Sequence, residues 1–496
     1  MSDPDTVMMD GNSNPTTSID PATSGSAIQK IPLEVLLRIT YFLNTQELGR
    51  VRLLCRSIEQ ALYTSFTNEF FTRKQFMISQ TSLQALIDIS KSRLGPHLRK
   101  VHIGLDRFAQ PQVHGDDART ARLAELFAEQ FTMLGSGYHR DMLTEAFRHL
   151  ENLEDVIIRD FNSSRRTRDG PNRQWTSYSS TTAYQETGIR PSIGHATAWS
   201  ITPAAGGAFG STVFNSVLFA LGQAEARPNG IEYMSRHRNP LRDYAFNLPS
   251  YMEPSVTPVL KSLEKLHIDV GLIHGDVLPF SAGSVPTHSP SSDVLLRQFL
   301  LKTTNLKHLR INETHDSVAG PGVLLSWLAQ ATTTTSPPSG PSPTFPHLEE
   351  LNLGMMNIEA THILQVVRKF APTLKRLELW KVNLLRRLPN DLTGAPPKVS
   401  FWTKFLERLK DIPLDSLRHI KVGNPQQQWI SRPTKSWVNF EGNNVTEYTG
   451  TDWRHFVGEV IPKVVVHYTH DEGSDGEGDD DDDEDDGIWD QYALDL

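Results

Sequence analysis

Residues 31–62 read IPLEVLLRITYFLNTQELGRVRLLCRSIEQAL, and this stretch decides how the rest of the chain is interpreted. Between Leu33 and Leu43, eight of eleven residues are apolar, so polar side chains interrupt the run at only three positions. A helix at the surface of a domain normally has one apolar and one polar face. This segment is apolar on both faces, so we expect it to be buried in a large core or covered by a second protein.

Local signals divide the stretch into three short helices. Pro32 stands at the start of the first helix, where its missing N–H costs nothing. Asn44, followed three residues later by Glu47, is typical of a capping box that begins a second helix, and a third begins near Cys55. Three helices of this length cannot bury so much apolar surface among themselves. The stretch therefore predicts a docking module.

The order and spacing of these residues resemble the F-box family. The family pattern is Leu-Pro-x-Glu-Ile-Leu, a helix, Asp-Leu and then Val-Cys-Arg, and the residues that match it in place or in shape are Ile31, Pro32, Glu34, Val35, Leu36, Ile39, Leu43, Glu47, Leu48, Leu54, Cys55 and Arg56. Ile58 departs from the pattern, because an aromatic residue is frequent at that position. The resemblance implies binding to a Skp-type adaptor and, through it, to a cullin scaffold. The contacts it implies are Pro32, Leu36, Ile39, Leu43 and Leu48. The alternative is an ordinary helical hairpin inside a core.

Composition narrows the class of protein. A chain of 496 residues is longer than one compact domain. Its single cysteine, Cys55, permits no internal disulfide and no thiolate zinc site, which fits a reducing compartment. No run of eighteen apolar residues and no signal peptide occur, so we expect no membrane span and a cytoplasmic and/or nuclear location. Residues 1–27 are predicted to be disordered.

The net charge of −9 combines two unlike parts. Residues 471–496 contain fourteen acidic and no basic side chains, which leaves 49 basic and 44 acidic side chains before them, a net charge of +5. Residues 466–496 are therefore predicted to be an acidic disordered tail. Its last ten residues, GIWDQYALDL, are either a short docking segment or a solubilising end.

A repeated pattern occupies residues 76–465. Seven times a helical stretch and a turn precede Leu-x-x-Leu/Val/Ile-x-Leu/Ile/Val, with the strand segments starting at 98, 153, 263, 306, 348, 374 and 417. The longest gap is expected to hide an eighth unit, STVFNSVLFALG followed by Ile231 to Met234. Strands separated by helices predict right-handed crossovers into a parallel sheet.

The predicted fold class is therefore α/β. A three-helix F-box-like module at 28–75 precedes a right-handed αβ solenoid at 76–465 that resembles leucine-rich repeats, with parallel strands on the concave face. Loop insertions are predicted near 160–210 and 331–346. The first contains Arg165, Arg166, Arg168 and Arg173, which form either a solvated loop or a phosphate-binding or nuclear-import cluster. A single closed α/β domain is the alternative.

Side chains between the inward aliphatics of each strand are predicted to line the concave face and bind a target. The candidates are His267, Arg310, Asn352, Glu378 and Lys421, together with Trp380 as an exposed aromatic anchor. Their mixed charge favours a protein target over nucleic acid. His102, His267, His308 and His419 are assigned to one register, but strands about 4.8 Å apart let only adjacent units share an ion, so no metal or other cofactor is predicted.

The resemblance to the F-box family, together with the solenoid pattern, implies a non-catalytic, substrate-recognition subunit of a Skp–cullin–F-box ubiquitin ligase, whose protein target is unidentified. No glycine-rich phosphate loop, Gly-x-Ser-x-Gly elbow or His-Glu-x-x-His motif is present. One alternative is a non-catalytic scaffold that binds the adaptor without ubiquitylation. Another is a hydrolase or transferase whose site the sequence does not reveal.

Overall fold

The computed structural model describes eleven segments of the chain. They are residues 31–109, 118–162, 167–170, 175–193, 204–236, 239–272, 293–313, 321–330, 341–387, 397–430 and 434–468. The predicted disordered start at 1–27, almost all of the predicted tail and residues 331–340 of the second insertion lie outside them. Contacts divide the chain into two compact units, one ending at Phe66 and including Thr167–Gly170, the other comprising the remainder.

The first unit contains the three predicted helices: α1 (Leu33–Tyr41), α2 (Thr45–Arg52) and α3 (Arg56–Phe70), whose last turn belongs to the second unit. The predicted capping box is confirmed. Asn44 Oδ1 accepts from the Glu47 N–H at 3.0 Å, and the Glu47 carboxylate accepts from the Asn44 N–H at 2.9 Å. The unit boundary at Phe66 lies nine residues before the predicted module end at 75, and the first strand of the large sheet begins at Arg73.

The described residues of the second unit contain strands and helices in alternation. The strands are β1 (Arg73–Met77), β2 (Lys100–Gly104), β3 (Asp106–Arg107), β4 (Asp155–Arg159), β5 (Ser192–Ile193), β6 (Gly230–Met234), β7 (Lys265–Val270), β8 (His308–Glu313), β9 (Glu350–Gly354), β10 (Asn357–Glu359), β11 (Arg376–Trp380), β12 (Asn383–Arg386), β13 (His419–Gly423), β14 (Gln426–Trp429), β15 (Ser436–Phe440), β16 (Val445–Thr449) and β17 (Val464–His467). The helices are α4 (Gln80–Lys91), α5 (Ala118–Ser136), α6 (Tyr138–Arg148), α7 (Ser180–Thr187), α8 (Ala204–Gln223), α9 (Glu253–Ser262), α10 (Val294–Lys302), α11 (Pro321–Ala329), α12 (Ala360–Phe370), α13 (Phe401–Lys410) and α14 (Trp453–Val460).

Ten strands form one large sheet whose order largely follows the chain. The order is β1-β2-β4-β6-β7-β8-β9-β11-β13-β16, and every pair is parallel except β13 with β16. All seven predicted strands and the hidden unit, α8 followed by β6, are present. The protein is thus a mixed α/β protein with a large, mostly parallel sheet.

A second sheet begins with strands that directly follow strands of the large sheet in sequence: β10 follows β9, β12 follows β11 and β14 follows β13. Its order is β10-β12-β14-β15-β17, with parallel pairs from β10 to β14 and antiparallel pairs after that. β3 and β5 form a two-stranded antiparallel sheet. Among the described helices none is both long enough and apolar enough to cross a membrane.

The core of the second unit follows from the strand alternation. On each strand of the repeat, two apolar residues spaced by two are fully buried, as Val101 and Ile103 are on β2 and Leu351 and Leu353 on β9. They belong to one continuous apolar cluster with buried residues of the helices, including Phe214 of α8. The intervening strand residues therefore share the opposite face of the sheet, and most of them are polar.

Candidate functional site

The first unit exposes an apolar stripe along α1. Val35, Ile39 and Phe42 are 48%, 45% and 71% exposed, and their spacing of four and three residues places them one above another on one side of the helix. Leu36 and Thr40, on the other side, are buried. We call Val35, Ile39 and Phe42 the α1 stripe, and it is an apolar surface that the described chain leaves uncovered.

More apolar surface is exposed where α2 ends. Leu53, the residue that closes α2, is 86% exposed, and Leu54 beside it is also exposed. Burying a leucine of this kind contributes about 2 kcal/mol, so leaving several exposed on one small unit is unfavourable without a partner. The sequence analysis did not single out Phe42 or Leu53 as contacts, although the apolar run contains both.

The structure corrects the predicted set of adaptor contacts. Pro32 and Ile39 are exposed and Leu43 is half-buried. Leu36 and Leu48 are each only 4% exposed, because a small helical unit still buries one face of each helix. Those two side chains stabilise the unit, and they are not accessible to another protein.

The predicted basic loop also has a structural role within the first unit. The Arg168 guanidinium donates to the carbonyl oxygens of Thr40 and, at 2.7 Å, of Leu43, where α1 ends. The Asp169 carboxylate accepts from the Thr45 N–H at 2.9 Å, at the start of α2. A cation thus meets the negative end of one helix and an anion the positive end of the next. Arg168 is therefore not merely solvated, and Arg165, Arg166 and Arg173 lie outside the described residues.

In the second unit, one residue from each strand of the large sheet aligns in a single row. Each member is the register partner of the next: Gln75, His102, Ile157, Glu232, His267, Arg310, Asn352, Glu378, Lys421 and Glu447. We call this the polar row. All five strand residues predicted to bind a target lie in it, so the structure brings them together as the sequence pattern indicated.

Ion pairs join the polar row to its neighbouring row near β6 and β7. Lys265 Nζ lies 2.7 Å from a Glu232 oxygen and 2.9 Å from an Asp155 oxygen, and His267 Nδ1 lies 3.5 Å from Glu232. Burial by itself would raise the pKa of Glu232, but His267 and Lys265 lower that pKa well below its ordinary range. Glu232 is therefore a buried, compensated carboxylate.

A second group of pairs lies on β9 and β11. Glu350 is 3.0 Å from His308 and 3.7 Å from Arg376. Burial opposes ionisation of Glu350, yet His308 lowers the pKa of this carboxyl to about 2. Glu378 lies 3.3 Å from Arg376 and 3.4 Å from His419. The face of the large sheet that carries the polar row therefore has charges of both signs, which largely neutralise one another.

Several predicted target contacts are less accessible than expected. His267 is buried against Glu232, and Asn352 is buried with its Nδ2 donating to Glu350 at 2.9 Å. Arg310, Glu378 and Lys421 are half-buried. The more exposed charges next to them are Arg376 and Glu447, each with its side chain 46% exposed.

Trp380 is not the exposed anchor that the sequence predicts. It is 9% exposed, because it ends β11 directly beside Gly423 at the end of β13. A Cβ built on Gly423 would lie 2.1 Å from a carbon of the indole ring, so the indole occupies the space above that glycine. The small residue on the neighbouring strand gives the large one a place to lie against the sheet.

The four histidines occupy two registers, which corrects the single register assigned from sequence. His102 and His267 are in the polar row, whereas His308 and His419 lie in the row two residues earlier. His102 packs edge-on against Trp175 at 5.4 Å, and burial, then Arg159, lowers the pKa of this imidazole. Within the described segments, no three His, Cys, Asp or Glu side chains are arranged to hold a metal ion.

Buried acids lie at the carboxyl ends of β7 and β8. Asp269 accepts from the Ser235 N–H at 2.6 Å and from Asn312 Nδ2 at 2.8 Å, and burial raises the pKa of Asp269 to about 6. Burial and the nearby Asp293 raise the pKa of Glu313 to about 8. Glu313 is thus largely protonated at neutral pH.

Comparison with known proteins adds little to this geometry. No protein-family model matches the chain, and no match is found among curated proteins. Among solved structures, the crystal structure of the Rad7 and Elc1 complex in yeast is similar over 78% of this chain and 85% of that chain, with 10% sequence identity and a TM-score of 0.21. Similarity at this level does not establish a shared function.

Proposed function

We propose that this chain is a non-catalytic, substrate-recognition subunit of a Skp–cullin–F-box ubiquitin ligase. The first unit binds the Skp-type adaptor, and the second unit, an αβ solenoid of the leucine-rich-repeat type, holds a protein target. The chain then accelerates ubiquitin transfer by raising the effective concentration of the target near the conjugating enzyme. It needs no cofactor for this role.

The α1 stripe is the observation that carries the proposal. Val35, Ile39 and Phe42 follow directly on the Pro32-x-Glu34 start of the F-box-like motif, and each is roughly half exposed or more. A partner helix or hairpin laid along α1 would bury all three, since they lie on one side of the helix. Leu36 and Leu48 hold the helices that present this stripe.

The chain order of the large sheet supports the solenoid interpretation. Each parallel strand pairs with the strands before and after it along the repeat, which is how units that contact only their neighbours are arranged. The polar row spans ten strands and includes charges of both signs, of which Glu447 is the most accessible, and Arg376 is exposed in the row two residues earlier. Such a surface fits a folded protein or peptide better than a nucleic acid, which would require a basic stripe.

Co-purification tests the proposal. The full-length chain is expressed in cells and recovered, and the adaptor and cullin are measured by quantitative mass spectrometry. The double variant Ile39→Asp with Phe42→Asp should lose both proteins, because it places two charges in an interface that must be dry. Tyr251→Asp, which changes an equally exposed aromatic of the second unit, should retain both.

The same experiment separates the alternatives. If adaptor is recovered without cullin, the chain is a scaffold that binds the adaptor outside a ligase. If neither is recovered with the unmodified chain, or if both are recovered equally with the double variant, the proposed function is wrong. Ile39 and Phe42 are exposed, so these substitutions leave the buried residues of the unit unchanged.

A further inference from the structure

A basic cavity lies between β10, β12 and α13 of the second unit. Its volume is about 350 Å³, and its lining includes Arg386, Arg387, Lys404 and Arg408 but only one acid, Glu359. Buried aromatic rings of Phe401 and Phe405 form part of its wall. The cavity thus presents four cations and one acid, which suits an acidic peptide.

The four cations are not neutralised by the part of the chain that the structure describes. All four are exposed, and none forms an ion pair with a described residue. Lys404 and Arg408 are four residues apart on α13, a spacing at which like charges destabilise a helix by a few tenths of a kcal/mol. An anionic occupant would remove that repulsion.

The last described residues lie near Lys398, which is close in sequence to the cavity lining. Tyr468 follows β17, and its ring centre is 5.8 Å from Lys398 Nζ. Lys398 precedes Phe401, which lines the cavity, by three residues. The acidic run begins at Asp471, and three extended residues span about 10 Å. The run of fourteen acids therefore begins within about 10 Å of Tyr468 along the chain, and residues 471–496 are long enough when extended to reach the four cations.

We propose that the basic cavity binds the acidic C-terminal segment, residues 469–496, of the same chain. Carboxylates of the acidic run pair with Arg386, Arg387, Lys404 and Arg408. Tethering gives the segment an effective concentration in the millimolar range, so even weak pairing keeps the cavity occupied. An acidic segment of another protein must then compete with it.

Fluorescence anisotropy with a labelled peptide of residues 469–496 tests this site in the full-length chain. The unmodified chain should bind the peptide weakly, because its own segment is already in place. Replacing Asp479 to Asp483 by Asn, at unchanged chain length, should strengthen peptide binding at least about tenfold. Adding Lys404→Glu with Arg408→Glu to that background should reverse the gain.

A matched control separates the site from overall charge. Arg227→Glu with Lys261→Glu, two exposed cations outside the cavity, changes the net charge equally and should leave peptide binding intact. Thermal melting checks that each variant folds. If the Lys404→Glu with Arg408→Glu variant does not fold, Arg386→Gln with Arg387→Gln takes its place. Equal peptide binding by the α13 and control pairs would overturn the site. If the unmodified and Asn-substituted chains bind the peptide equally, the chain's own segment does not occupy the cavity. The occupant would then be an acidic segment of another protein.

Discussion

Asp169 accepts two hydrogen bonds from Thr45, one from its N–H at 2.9 Å and one from its hydroxyl at 2.6 Å, across 124 residues of sequence. The Thr45 N–H is one of the first amides of α2, which have no partner within the helix. A segment of the predicted insertion thus completes the helical unit. Residues far apart in the chain cooperate in presenting the α1 stripe.

Asp169→Ala should loosen the start of α2. The loss of a charged acceptor at a helix N-terminus costs about 1–2 kcal/mol, so hydrogen–deuterium exchange in residues 44–52 should become about tenfold faster. Asp415→Ala, at a side chain that is 88% exposed, is the control and should leave exchange there unchanged. Unchanged exchange in Asp169→Ala would show that the contact contributes nothing to the unit.

Gly423→Ala should displace Trp380. The added Cβ would meet the indole at 2.1 Å, and overpacking of this kind costs about 1–3 kcal/mol in urea unfolding. Gly135→Ala is the matched control, since its Cβ meets nothing within 4 Å and alanine favours the helix by up to about 1 kcal/mol. Equal stability of Gly423→Ala and the unmodified chain would contradict the placement of the indole.

Lys265→Met should destabilise the large sheet. It leaves Asp155 and Glu232 buried with weaker compensation, and removing one partner of a buried ion pair costs about 3 kcal/mol. The exposed pair of Lys375 with Glu349 supplies the control, because Lys375→Met should cost less than about 1 kcal/mol in the same urea titration. Similar losses of unfolding free energy in the two variants would mean that burial does not increase the contribution of the Lys265 ion pairs.

Glu313→Gln should stabilise the protein in a pH-dependent way. The pKa of Glu313 is raised from 4.5 to about 8 in the folded state. Between these two pH values the folded protein retains a proton that the unfolded chain releases. The free energy of unfolding therefore falls as pH rises from 4.5 to about 8. Glutamine imitates the protonated form. Unfolding measured from pH 4 to 8.5 should show the variant matching the unmodified chain at pH 4 and exceeding it increasingly toward pH 8.

Glu151→Gln, at an exposed position, should show no such trend. A Glu313→Gln variant that is less stable than the unmodified chain at pH 8 would mean that the carboxylate is ionised and needed there. Asp269, whose pKa is about 6, contributes in the same direction in both proteins and cancels from the comparison.

Local patterns predicted much of the fold. The seven Leu-x-x-Leu-type segments all became strands of the large sheet, because each alternates two buried aliphatics with outward residues. The second sheet was missed because its strands are short and lack that alternation, as NIE at β10 and QQQW at β14 show. Strand β1 (RKQFM) was also missed, because it precedes the first repeat and no repeat pattern comes before it.

The candidate sites were less predictable because exposure depends on contacts that are distant in sequence. Leu36 and Ile39 look alike in the sequence, and only the folded unit shows that the first is buried and the second exposed. Trp380 is covered by its position against Gly423, a register relationship between strands separated by about forty residues. The contact of Asp169 with Thr45 has no local signature at all.

The affinity of the purified full-length chain for a purified Skp-type adaptor tests the central claim most directly. Isothermal titration should give saturable one-to-one binding, and Ile39→Asp and Phe42→Asp should each weaken it at least about tenfold, with Tyr251→Asp unchanged. No binding by the unmodified chain, or equal affinity when Ile39 and Phe42 are both aspartate, would contradict the account.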